Sequence, residues 1–219
     1  MSMKVLAQGF GVALSAMLAI SGCAPGSGEK IVSVAEHSTL GKDVPIDALL
    51  VASEILPRSL VEKLSLGAQN PDTTDIETLS SMDAEEYRLR SWLDGDGTRP
   101  IAQIVLSFSS PAQAEADYQR MPNGRNFHIV DGLHSISMDI RELGLKADSA
   151  NVFCVGFEIS NSNVNDCAQW GFRARYGRYV VDVILRKGAG LDGYMRIGKD
   201  LFFELVAAVD QNVNRKMNG

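Results

Sequence analysis

The run from Val152 to Leu185 constrains the fold more than any other part of the chain, because its pattern is that of neighbouring β-strands. Two sets of residues alternate within it: Trp170, Phe172, Ala174 and Tyr176, and between them Gln169, Gly171, Arg173 and Arg175. This period of two is typical of a sheet with one face against a core and one face in solvent. Tyr176-Gly177-Arg178 then turns the chain into the apolar run Tyr179–Leu185. The whole run therefore predicts a three-stranded antiparallel meander.

Further strands and helices complete the predicted fold. Residues 87–93 and 101–108 predict two strands joined by a turn, and residues 45–55 predict a helix that Pro57 stops. Ser110-Pro111-Ala112-Gln113 is a typical helix start, with serine as the cap and proline in the first turn. Apolar residues recur at helical spacing between about Asp192 and Lys216. The sequence predicts an α+β fold, an antiparallel sheet of about five or six strands with a short central helix and a long C-terminal helix packed on one face.

The first 22 residues have the three parts of an export signal. Lys4 supplies a positive charge, an apolar run follows from Val5 to Ile20, and small residues precede Cys23. A helix that spans a membrane needs about 20 mostly apolar residues, and this run is shorter and contains glutamine and glycine. We therefore expect a leader that is removed, and not a permanent span.

Ile20-Ser21-Gly22-Cys23 resembles the lipobox of bacterial lipoproteins. The resemblance implies cleavage before Cys23 and acyl chains, palmitate among them, on that cysteine. Two or more acyl chains hold a protein stably at a bilayer. It also implies a lipid-anchored, extracytoplasmic location in the cell envelope, and Ala24 favours the outer membrane, facing the periplasm, if the envelope has two membranes. The expected organisation is a signal peptide over 1–22, an acylated cysteine and flexible tether over 23–44, and a single α+β domain over 45–219.

The charge of the chain limits its partners. The formal net charge is −6, and loss of Lys4 with the leader makes it −7. Nucleic-acid binding needs a basic face that displaces counterions, so we expect no nucleic acid partner. Membrane attachment then depends on the acyl chains of Cys23, and a protein or envelope partner is left open.

Two further cysteines, Cys154 and Cys167, predict a disulfide, because exported proteins fold in an oxidising compartment. A symmetric hairpin with its tip at Ser160-Asn161 would place them directly opposite each other. The alternative is a long loop from Ser160 to Asp166, which would pair Ile159 with Cys167 and leave Cys154 out of register.

Arg173, Arg175 and Arg178 lie on or near the predicted meander. They are a possible face for an anionic ligand, although a solvated sheet face is the more common meaning of such a row.

The chain offers few residues for metal binding or catalysis. His128, Asp131 and His134 lie within seven residues, but Gly132 interrupts any regular geometry and no fourth ligand is near. Asp94-Gly95-Asp96-Gly97 lacks the glycine and glutamate that an EF-hand loop requires, so we read it as a turn. We expect no cofactor and no metal.

Three hypotheses for function follow, and the sequence favours the first. The first is a non-catalytic binding or accessory module of the envelope, since local catalytic motifs are absent from the sequence. The second is a carrier of lipids or other apolar ligands between the sheet and the C-terminal helix. The third is an enzyme with a site near His128, Asp131 and His134, which local motifs cannot exclude because catalytic groups assemble in space. The order of elements is loosely similar to PsbP-like extracytoplasmic domains, a resemblance of architecture that transfers no function.

Overall fold

The computed structural model describes residues 43–62, 64–66, 83–93, 97, 100–121, 134–156, 167–186 and 198–219. All of them belong to a compact unit that spans Thr39–Gly219. The strands are β1 (Ser65–Leu66), β2 (Glu86–Leu93), β3 (Ile101–Ser107), β4 (His134–Ser137), β5 (Ser149–Gly156), β6 (Gln169–Tyr176) and β7 (Tyr179–Arg186). The α-helices are α1 (Arg58–Val61), α2 (Pro111–Arg120) and α3 (Lys199–Asn218), and the 3₁₀ turns are Ile46–Leu49, Ser53–Ile55 and Arg141–Leu143.

The seven strands form one antiparallel sheet in the order β1-β2-β3-β7-β6-β5-β4. The predicted α+β class is confirmed, as are the β2–β3 pair and the β5–β6–β7 meander. The tight turn between β6 and β7 is at Gly177, whose φ of 56° suits glycine. The sheet has more strands than the five or six expected, because β1 and β4 at its two edges are too short to show a clear alternation.

Each face of the sheet has its own apolar core. On one face, α3 packs its buried stripe of Phe202, Val206, Val209 and Val213 against strand residues that include Trp170, Phe172 and Val181. On the other face, Ala114 and Tyr118 of α2 pack against Ile104, Leu106 and Val180. The prediction placed the two helices on one face. The structure places them on opposite faces, because the second face of β3 and β7 is also apolar and needs its own cover.

The segment from Asp43 to Leu60, here called the N-terminal segment, differs from its prediction. A continuous helix over 45–55 is wrong, since the segment has two 3₁₀ turns with Leu50 extended between them (φ −69°, ψ 131°). Gln103 explains the break. Its side-chain amide accepts from the Val51 N–H at 2.7 Å and donates to the Leu49 carbonyl at 3.1 Å, so these backbone groups bond to the sheet and not along a helix.

The predicted start of α2 is confirmed, and it allows a direct test. Ser110 is extended, and its hydroxyl accepts from the Gln113 N–H at 3.2 Å, with Pro111 in the first turn. Ser110→Ala is expected to lower the free energy of unfolding by about 1 kcal/mol, because a backbone N–H loses its partner. Urea unfolding measures this, and Ser109→Ala is the matched control, with a change within about 0.5 kcal/mol because this neighbour does not cap the backbone. Equal effects of the two changes would contradict the capping role.

Candidate functional site

The predicted disulfide is present, but the strand register around it is not the predicted one. Cys154 of β5 bonds to Cys167, which precedes β6, with their Cα atoms 5.5 Å apart. Cys154 lies opposite Trp170, so the symmetric hairpin that would place the two cysteines directly opposite each other is wrong. The alternative pairing of Ile159 with Cys167 lies outside the described residues. The chain bends at Ala168, and the Ala168 N–H donates to the Val155 carbonyl at 2.7 Å. This bend brings Cys167 back toward Cys154 despite the offset register. The predicted turn at Ser160-Asn161 lies outside the described residues.

Arg173 is the centre of a buried ion-pair cluster, here called the Arg173 cluster, together with Asp117 of α2 and Asp182 of β7. Its Nη2 donates to Asp117 Oδ2 at 2.6 Å, and its Nη1 donates to Asp182 Oδ1 at 2.9 Å and to Oδ2 at 2.7 Å. The side chains of Arg173 and Asp117 are both 0% exposed. The solvated face predicted for Arg173 is therefore wrong at this residue, because α2 covers that face.

The Arg173 cluster connects three elements of the fold. Asp182 lies directly opposite Arg173 in the β6–β7 pair, while Asp117 comes from α2. Arg120 of α2 adds a second cation, 3.4 Å from Asp117. Charge-assisted bonds of this kind are directional, so the cluster fixes how α2 sits on the sheet in a way that apolar contacts alone do not.

Arg175 and Arg178 also pair with carboxylates of the same chain. Arg175 Nε lies 2.5 Å from Glu115 Oε2, and Arg175 Nη1 lies 2.9 Å from Asp148 Oδ2. Arg178 lies 3.3 Å from Asp43 and 3.6 Å from Glu85, and its guanidinium stands over the Tyr179 ring. An anionic ligand would have to displace these partners. The three arginines thus contact the α2 face and the β6–β7 turn, and each already has an internal counter-ion.

The structure places only one of the residues proposed for an enzyme site. His134 is exposed at the start of β4, opposite Gly156, and His128 and Asp131 lie outside the described residues. Asp139 is close in sequence but accepts from Arg141, which lowers the pKa of that carboxyl to about 2. Within the described ranges, no group of three or more His, Cys, Asp or Glu side chains could hold a metal ion.

The carrier hypothesis needs a cavity between α3 and the sheet. Trp170 of β6 and Phe202 of α3 stack with ring centroids 5.5 Å apart and an interplanar angle of 22°. Both side chains are buried. At this point the helix and the sheet are in direct contact.

Asp210 of α3 is a buried carboxylate that the sequence pattern did not single out. It is buried in α3, and its carboxylate accepts from the Tyr176 hydroxyl at 2.9 Å, the Lys146 N–H at 3.0 Å and the Ala147 N–H at 3.2 Å. The carboxylate therefore joins the last helix to β6 and to the segment before β5. Its position was a usable signal, because residue 210 falls between Val206 and Val213 on the buried stripe of the helix.

Tyr176 gives this interaction a measurable pH dependence. Burial, and then the neighbouring Asp210 charge, raise the pKa of Tyr176 well above 10.0. An unfolded tyrosine loses its proton near pH 10, whereas Tyr176 in the fold keeps it, so its contribution to stability is complete below pH 10 and is lost as the pH rises further. Tyr176→Phe is expected to lower the free energy of unfolding by about 1–3 kcal/mol at neutral pH through loss of the bond to Asp210.

The same variant should show a shallower decline in stability above pH 10 than the wild type does. Chemical unfolding across this pH range measures both effects. Tyr87→Phe is the matched control, since Tyr87 is only partly buried, and it should change the free energy of unfolding at neutral pH by no more than about 0.5 kcal/mol. Identical slopes for the wild type and Tyr176→Phe would contradict the burial effect.

The N-terminal segment is held to the sheet by side chains of three strands. The Tyr179 hydroxyl accepts from the Val44 N–H at 3.1 Å and donates to the Val44 carbonyl at 2.8 Å. Gln103 bonds to Leu49 and Val51 as described, and Arg90 donates to the Val51 carbonyl at 2.8 Å. We call these contacts, made by Tyr179, Gln103 and Arg90, the clamp. The clamp therefore holds the N-terminal segment at Val44, near its start, and at Leu49 and Val51, near its middle. The segment itself does not form a strand of the sheet.

Cys23, the residue predicted to carry acyl chains, lies outside the described residues. Among the helices that the structure describes, none has the length and apolar character that a membrane span requires.

Comparisons with known proteins do not assign this chain to a family. No family model matches the sequence, and the search of curated proteins gave no significant match. Among solved structures, the chain is similar to the extracellular domain of PknH from Mycobacterium tuberculosis, with a TM-score of 0.45 and 14% identity over 78% of this chain and 95% of that chain.

Proposed function

We propose that this protein is a lipid-anchored module of the cell envelope that lies outside the cytoplasm and acts by binding, without catalysis. The observation that carries the proposal is the disulfide between Cys154 and Cys167. Disulfides persist in oxidising compartments and are rare in the cytosol, so the bond supports export of the chain. The lipobox-like Ile20-Ser21-Gly22-Cys23 then supplies the signal and the anchor.

The roles of the charged side chains support binding over catalysis. Arg173, Asp117 and Asp182 bind one another inside the fold, and Asp210 binds Tyr176 and two backbone N–H groups. These groups join helices to the sheet. A catalytic acid or base instead needs to reach a substrate. The partner of the module is a protein or a polymer of the envelope.

Cys23→Ser tests the anchor. The variant is expected to leave the membrane fraction and appear in the soluble fraction, because acyl chains have no cysteine to join. The matched control is the double variant Cys154→Ala with Cys167→Ala, which keeps Cys23 and should stay with the membrane. Mass spectrometry of the wild type should find an acylated N-terminal residue 23. Co-sedimentation of Cys23→Ser with lipid would contradict the proposal.

A further inference from the structure

The edge of the sheet at β4 presents backbone groups to which no other described residue bonds. The Met138 N–H donates to the Val152 carbonyl of β5 at 2.7 Å. In an antiparallel ladder every second residue bonds to the neighbouring strand, so Ile136 also bonds to β5. The N–H and C=O groups of Ser135 and Ser137 therefore point away from the sheet, and both residues are exposed.

The strand β4 lacks the features that usually protect an exposed strand edge. Natural proteins protect such edges with charged side chains, with proline or by keeping the strand very short. The sequence of β4, His134-Ser135-Ile136-Ser137, contains no Lys, Arg, Asp, Glu or Pro. At the opposite edge of the sheet, β1 has only two residues. Of the two edges that the structure describes, β4 is therefore the one that can accept a further strand.

We propose that β4 pairs with β4 of a second copy of this chain, antiparallel about a twofold axis that passes beside Ile136. In this register Ser135 of each copy lies opposite Ser137 of the other, and each such pair exchanges two backbone hydrogen bonds. The bonds join the two seven-stranded sheets into one continuous sheet. The same surface of both copies is used, so the contact closes as a dimer. The pairing does not depend on the anchor proposed at Cys23.

The side chains of β4 suit a second copy of the same strand. In the dimer, Ile136 lies directly opposite Ile136 of the other copy, with about 4.5 Å between the Cα atoms in a pair of this kind. Ile136 is only partly buried, at the border of the core beneath α3, so the contact buries apolar surface that one copy leaves exposed. His134 lies opposite Met138, and no like charges meet between residues 134 and 138. The strand is thus complementary to itself.

Two double variants test this register by charge. Ser135→Lys with Ser137→Lys places like charges opposite each other in the dimer, whereas Ser135→Glu with Ser137→Lys places opposite charges there. Sedimentation of the full chain in a non-ionic detergent measures its mass. The strands are short, so the dimer is reversible, and the mass of the wild type should double as its concentration rises. The Glu/Lys variant should behave in the same way, and the Lys/Lys variant should stay monomeric.

A proline variant tests the backbone bonds without adding a charge. Ser137→Pro removes an N–H that points away from the sheet and no bond to β5, so the fold should be kept and the dimer lost. Ser137→Ala is the matched control, because it keeps the N–H, and it should dimerise. Circular dichroism and the urea midpoint establish that each variant is folded.

Hydrogen exchange of the wild type supplies a second measurement. The amide hydrogens of Ser135 and Ser137 should exchange about tenfold more slowly once about nine-tenths of the chains are paired, since only unpaired chains expose them. The amide of Ile136, already bonded to β5, should not change. Equal masses of the two double variants would overturn the proposal. A wild type that is monomeric at every concentration would also overturn it, and would leave the edge to an extended segment of another protein.

Discussion

Replacing Arg173 with methionine is expected to lower the free energy of unfolding by about 3–5 kcal/mol, because it removes the cation that the buried carboxylates of Asp117 and Asp182 share. Asp117 and Asp182 are 0% and 6% exposed in their side chains, so water cannot readily replace the guanidinium. Methionine has a similar length and fills the same space, which limits any packing effect. Urea or thermal unfolding measures the loss.

Two further variants separate the charge effect from a general intolerance of the site. The triple variant Arg173→Met, Asp117→Leu, Asp182→Leu should regain most of the stability, because an apolar cluster needs no counter-ion. Arg141→Met removes a guanidinium from the exposed pair with Asp139 and should leave unfolding unchanged. If Arg173→Met unfolded at the same urea concentration as the wild type, the cluster would have no role in stability.

Removal of the disulfide is the second large effect expected. The double variant Cys154→Ala with Cys167→Ala should lose about 3 kcal/mol of unfolding free energy, since the bond joins residues 13 apart and restricts the unfolded chain. Both cysteines change together, so that no free thiol is left in the core. Chemical unfolding of the variant and of the wild type measures the difference.

Reductant supplies an independent control for the disulfide. It should destabilise the wild type by a similar amount and leave the double variant unaffected. Mass spectrometry of digests prepared without reduction should find the two cysteine peptides linked. Free, alkylated thiols at both positions would contradict the bond and would remove the main support for export.

Local patterns predicted the parts of the fold that depend on neighbouring residues. The cap at Ser110, the turn at Gly177 and the β6–β7 hairpin were all predicted from a few residues, because each depends on backbone geometry over a short range. The strand register at Cys154 was not predictable in this way. It depends on a bend at Ala168 that the spacing of the cysteines does not show.

Other errors came from contacts between distant residues. The sheet face of Arg173, which was predicted to be exposed to solvent, is covered by α2. Asp117 of this helix lies 56 residues before Arg173 in the chain. The helix predicted over 45–55 is broken by Gln103, 52 residues away from Val51. The period of a sequence indicates whether a face of a strand is apolar or polar. It does not indicate whether a polar face is exposed to solvent or covered by another element of the fold. The arginine row was therefore visible in the sequence, whereas its internal counter-ions were not.

The position of β7 between β3 and β6 has a consequence for how the chain folds. The β2–β3 hairpin and the β5–β6–β7 meander each join strands that are close in sequence, whereas the β3–β7 ladder pairs residues such as Val105 and Val181. Closing the long loop between paired residues such as Val105 and Val181 is slow relative to forming a hairpin. We therefore expect the β2–β3 hairpin and the β5–β6–β7 meander to form early. The rate-limiting step of folding is then the pairing of β3 with β7.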